Sequence, residues 1–224
     1  MSISAVSLNL IAILLLISAI LVFFSWRKNK TIFLRDFTVF LFSIASSSTC
    51  WAIAVWLIPI NSTIAGYLHP LAGTFGAIGF LYFSHLVLTL TFPSETRKVL
   101  TLLIFLFLTT TPILWLYPPH PYISEEGITV WNIDFLPGFT LAINGIFIGG
   151  LVLGLFSWLG IRSVDKFTKI RSFLIASGLT VYLAGGLAHN LITKPKQYIF
   201  ADLLTLLGVI ILLLTIYLKK FVKE

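Results

Sequence analysis

Charge is what this sequence has least of. Aspartate, glutamate, lysine and arginine together make up 10% of its 224 residues, against roughly 25% in a soluble globular chain. Hydrophobic types make up 58%, and mean hydropathy is +1.02. A surface this poor in charge does not stay in water, so lipid is the expected solvent and no separate soluble domain is expected in residues 1–224. Cysteine is nearly absent. The single copy, Cys50, excludes an internal disulfide and lies in an apolar run, where a buried thiol is the ordinary reading. Chemical motifs are missing as well. There is no HExxH, GxSxG or Walker loop, and no pair of carboxylates within an apolar run. His69, His85, His120 and His189 lack metal-site spacing, so neither a metal nor a cofactor is expected. A retinal Schiff base needs a lysine deep in the last helix, and 199–217 has none. No basic segment precedes the first apolar stretch, so Met1–Phe24 reads as a retained helix rather than a cleaved signal.

Long apolar runs are what the sequence has instead. Seven stand out, at about Ile3–Phe24, Phe37–Ile58, Leu71–Phe92, Val99–Leu116, Pro137–Ile161, Ile170–Leu187 and Ile199–Tyr217. Each is long enough to cross ~30 Å of hydrocarbon as a helix, and none alternates as a barrel strand does. The expected fold is an all-α membrane protein, a single seven-transmembrane bundle.

The basic residues give it an orientation. Arg27, Lys28, Lys30 and Arg35 fall in the first loop, and Arg97 and Lys98 in the third. Arg162, Lys166, Lys169 and Arg171 fall in the fifth, and Lys219, Lys220 and Lys223 at the C-terminus. These are thirteen of the fifteen; Lys194 and Lys196 lie in the sixth loop. Short cytoplasmic loops collect lysine and arginine, so the N-terminus is expected outside and the C-terminus in the cytoplasm. The net charge of +7 is then topological, and nucleic acid is not an expected partner.

The longest loop, about 117–136, falls outside in this topology. Its run from Gly127 to Asp134 is rich in β-branched and aromatic residues and predicts a short strand or hairpin, an ordered lid on the bundle. Small residues cluster in the third run (Ala72, Gly73, Gly76, Ala77, Gly79), the fifth (Gly145, Gly149, Gly150, Gly154) and the sixth (Gly178, Gly185, Gly186). They read chiefly as close packing between helices, with a homodimer face as the alternative.

Ionisable groups at depth are costly in lipid and so point to function. Asp36 and Asp165 read as loop residues among the bases, Glu95 lies beside Arg97, and only Asp202 falls within a span. His189 and Asn190 end the sixth helix near the start of the seventh, which makes a His189–Asp202 pair on the floor of an outward cavity a candidate ligand-binding or proton-sensing site. The competing reading has both residues wet at the interface, with Asp202 capping its helix. His69, just before Pro70, is placed at the outer start of the third helix, where an interfacial role suffices, and with Asn190 it joins His189 and Asp202 as a candidate ligand-binding or proton-sensing residue. His85, preceded by Ser84, reads as a bundle residue bonded to a neighbouring hydroxyl or carbonyl, with signal relay as the alternative. The hydroxyl run Ser46-Ser47-Ser48-Thr49 before Trp51 bonds back to its own helix or lines a cavity.

The layout resembles the seven-transmembrane N-terminal sensor region of bacterial histidine kinases. The resemblance covers the whole chain and rests on the seven-helix plan and on Trp51 and Trp56 in the second helix. It also rests on Phe80-Leu81-Tyr82-Phe83-Ser84-His85 leading to Thr91-Phe92-Pro93, and on the long loop before the fifth helix. It implies a sensory module in a bacterial plasma membrane that relays a signal to a cytoplasmic or membrane partner. The sequence departs from the family in carrying no kinase domain or phosphoacceptor histidine before Glu224, so kinase activity is not expected of it. The rival expectations are a small transporter or channel component, a lipid-acting enzyme using His189 and Asp202, and a structural subunit.

Overall fold

A computed structural model describes the backbone of residues 3–191 and 195–221 and the side chains of residues 5–189 and 196–215. The helices are α1 (Ile3–Asn29), α2 (Ile32–Leu57), α3 (Ser62–Thr91), α4 (Thr96–Leu116), α5 (Phe135–Asn144), α6 (Gly150–Arg162), α7 (Lys166–Leu191) and α8 (Pro195–Phe221). A π-helical turn, Gly145–Gly149, joins α5 to α6, so the two make one span. Seven helices are thus long and apolar enough to cross a membrane, and the chain is a multi-pass membrane protein.

All seven predicted spans are present, and several begin earlier than their apolar runs. Thr31 accepts the Leu34 N–H through its hydroxyl and starts α2 five residues ahead of Phe37. Asn61 likewise accepts the Ile64 N–H and starts α3 nine residues ahead of Leu71. These caps satisfy amide donors that would otherwise be orphaned at a helix start, and they allow polar first turns to be helical. Pro70 consequently lies inside α3 rather than at its beginning.

Neighbours in sequence are neighbours in space. The helices run round a ring in order, α1 closes the ring against α8, and α3 also reaches across to α6. α4 leans on α3 and α5 and leaves Leu102, Phe105 and Leu108 exposed, as expected of a lipid-facing helix. The loop before α5 forms the predicted hairpin. β1 (Tyr122–Ile123) and β2 (Thr129–Val130) pair antiparallel, with Tyr122 opposite Val130. The turn between them uses Gly127 at φ 73°, a conformation that costs glycine little. Ile128, Thr129, Val130 and Trp131 are buried, and β2 packs on α1 and α8. The hairpin therefore covers one end of the bundle. The connections bearing Arg27–Arg35, Arg97–Lys98 and Arg162–Arg171 lie at the opposite, basic end.

Glycines do two different jobs here. Gly178 and Gly185 face α8, and Gly208 faces α7, each so close that an added Cβ would run into the facing backbone. This is the expected close packing. Gly150 and Gly154 are exposed and have open space around them, so internal packing does not account for these two.

Candidate functional site

The bundle is built in three tiers, and the same order recurs along each inward-facing helix. Nearest the hairpin, Trp51 on α2, His69 and Gly76 on α3, Gly145 in the π turn, Gly186 on α7 and Asp202 on α8 surround a cavity of about 190 Å³. Further along the same helices come Phe40, Phe83, Phe156, Leu179 and Val209, all buried. Phe40 and Phe83 stack at 4.2 Å between centroids, and Phe83 meets Phe156 at 5.1 Å. Beyond this aromatic layer lie Asp36, His85 and Arg171 at the basic end. His69 and His85 are sixteen positions apart on α3, which places their backbones roughly 24 Å apart.

The cavity owes its existence to side chains that are missing. Ala72, Gly73, Gly76 and Ala77 on α3, Gly145 and Gly149 in the π turn and Gly186 on α7 all border it. A Cβ added at Gly186 would meet nothing within 4 Å. The remaining wall is largely aromatic and aliphatic, and Thr129, Trp131 and Ile133 supply the cover from the hairpin and the segment after it. π turns recur at functional sites, and this one lies in the wall. Asn144, just before it, donates from Nδ2 to Thr110 Oγ1 at 2.8 Å and fastens the fifth span to α4.

The polar groups in the wall are few. The predicted pair is formed, with His189 Nε2 3.1 Å from Asp202 Oδ1. Asp202 is only 3% exposed, so it is neither a wet interfacial residue nor a solvent-facing cap. The His189 ring also lies 5.4 Å from that of Tyr198. His69 is not interfacial either. It is 7% exposed and sits between Trp51 and Trp131, at 6.0 and 5.1 Å between ring centroids. The correction follows from the earlier start of α3, which carries His69 two turns into the helix beneath the hairpin. Ser47 lines the cavity, whereas Thr49 donates back to Ala45 O at 2.8 Å, so the hydroxyl run does both things expected of it. The side chain of Asn190 lies outside the described residues, as does that of Lys194.

Three buried polar atoms round this cavity make no hydrogen bond among the described residues: Trp51 Nε1, His189 Nδ1 and Asp202 Oδ2. Buried polar atoms are paired in the great majority of cases, and each left unpaired costs about 1–3 kcal/mol. All three belong to side chains that border the cavity, and the unpaired atoms lie within its wall.

The basic end holds a second histidine–aspartate pair, which the sequence reading missed. Asp36 is not a loop residue. It is fully buried in the second turn of α2. Its Oδ1 accepts from Arg35 Nε and Nη2, both at 2.8 Å, and its Oδ2 lies 2.5 Å from His85 Nδ1. His85 is therefore bonded to a carboxylate and not to a hydroxyl or carbonyl. The sequence signal was present in the Thr31 cap, which brings Asp36 into the helix. Ser84 beside it is completely buried, and its hydroxyl has no partner among the described residues. His85 opens on a groove lined by Thr89, Thr96, Arg97 and Thr101. Among the described residues no cluster of His, Cys, Asp or Glu is suited to a metal ion.

No protein-family model and no curated protein matches the chain.

Proposed function

We propose that this protein is a membrane-embedded sensory module that binds a small ligand in the cavity beneath the hairpin and relays occupancy to the basic end. The observation that carries the reading is that Trp51 Nε1, His189 Nδ1 and Asp202 Oδ2, buried and unpaired among the described residues, belong to side chains bordering one cavity. The cover formed by the hairpin and the π turn in the wall support it. So does the resemblance of the layout to kinase sensor regions. The distribution of basic residues supports an orientation in a bacterial plasma membrane with the hairpin outside and the basic end in the cytoplasm.

The relay runs through α8. Asp202 and Thr205 border the cavity, and the same helix continues past Val209 and Leu212 to the basic end. A ligand moves this helix only by binding two packings unequally. The partner at the basic end is a cytoplasmic or membrane protein reached through the last turn of α8. The packed aromatic layer disfavours a channel, because no polar pathway crosses it among the described residues.

Gly186→Leu tests the relay without knowledge of the ligand, since the new side chain has room to fill the cavity. Spin labels at Leu90 on α3 and Leu214 on α8, both exposed, report spacing at the basic end. The distance distribution is expected to shift between the open and the filled cavity. Superimposable distributions would overturn the reading.

A further inference from the structure

We infer that the cavity is an amine site, whose ligand is a small amphipathic primary amine with its ammonium against the His189–Asp202 pair. The inference rests on the cavity being a ligand site and names the ligand's chemistry.

Charge is the first ground. Among the described residues the cavity wall holds one carboxylate, Asp202, the histidines His69 and His189, and no lysine or arginine. One carboxylate oxygen is engaged by His189, and the other is buried without a partner among the described residues. A charge in a low-dielectric wall is stabilised by an opposite charge with hydrogen bonds to its remaining lone pairs, and an anion there is repelled. Hydrogen-bond direction is the second ground. With His189 taken as the neutral imidazole that donates Nε2–H to Asp202, a lone pair is left at Nδ1. The two unpaired atoms of the pair are then both acceptors and call for a ligand with several donors. A primary ammonium has three, and an alcohol has one.

The remaining wall fits the rest of such a molecule. Trp51 and Trp131 border the cavity, and indole rings attract cations as well as apolar groups. The small-residue face of α3 leaves room for an apolar body. An apolar cavity of about 150 Å³ takes benzene, so about 190 Å³ admits a molecule of roughly ten non-hydrogen atoms. The Trp51 N–H adds a place for one acceptor oxygen on the ligand.

The test is binding to the purified full chain in lipid nanodiscs, read by calorimetry. The probes are 2-phenylethylamine, 2-phenylethanol and 3-phenylpropanoate, which share an apolar body and differ in head group. The amine is expected to bind at least tenfold more tightly than the alcohol, and the carboxylate not at all. In Asp202→Asn the amine falls to the affinity of the alcohol. Gly186→Leu abolishes both, with Ala77→Leu as a second filling variant and the melting temperature as the check on folding. Alcohol or carboxylate binding as tightly as the amine overturns the amine class and leaves the ligand site standing. Silence from all three probes, or binding that survives both filling variants, overturns the ligand site as well.

Discussion

At the basic end, Asp36 has both oxygens engaged, one by Arg35 and the other by His85. At the hairpin end, Asp202 has one oxygen on His189 and the other on nothing among the described residues. The residue types are the same and the burial is similar, yet one pair is complete and the other is open. A complete pair holds helices together, here α2 to α3. An open pair leaves interaction energy for something that arrives later. The difference teaches that a buried histidine–aspartate pair says little about function until every polar atom of it is traced to a partner.

The largest expected effect comes from the layer that keeps the two ends apart. Phe83→Ala removes a fully buried ring that touches Phe37, Phe40 and Phe156. Its cost should be about 3–5 kcal/mol, measured by unfolding in detergent. A loss below 1 kcal/mol would mean the layer is loosely packed and the two ends are not independent.

The next effect sharpens the contrast itself. Asp36→Ala strips Arg35 and His85 of their carboxylate and should cost about 2–3 kcal/mol, discounted because both partners reach solvent. Asp202→Asn should change stability by no more than about 0.5 kcal/mol, because half of its bonding capacity is already unused. Equal losses in the two variants would erase the distinction drawn between the pairs.

The smallest effect is a pH dependence at the basic end. Asp165 precedes α7, and hydrogen bonds from Thr168, through its side chain first and its backbone N–H second, hold the Asp165 carboxyl below the usual carboxylate range. A depressed carboxylate contributes stability above its unfolded value, and the contribution is lost as pH falls through the folded value. Its loss should therefore appear only below about pH 4. Asp165→Asn should flatten that part of a melting-temperature profile and leave the neutral region unchanged.

Span number and the hairpin were legible in the sequence, because run length and β-branched composition act locally. Gly127 with its β-branched neighbours sufficed to place a turn and strands. The His189–Asp202 pair was legible as well, since a short connection forces α7 and α8 together. Asp36 and His69 were misplaced for one reason. Hydropathy marks where apolar residues begin, whereas a helix begins at its cap, and Thr31 and Asn61 lie well before the apolar runs. Proline at a helix start is common, which made Pro70 look like a beginning. The cavity was not legible at all. It exists where small residues of α3, the π turn and α7 face one another, and that alignment belongs to the packing and not to any one segment.

The phenylalanine tier has a consequence for the cell. An ion entering the space under the hairpin would have to shed its hydration shell among Phe40, Phe83 and Phe156 to go further, at a cost of several kcal/mol. A bundle layered in this way is expected to pass no ionic current, which recording across a planar bilayer holding the purified chain would check.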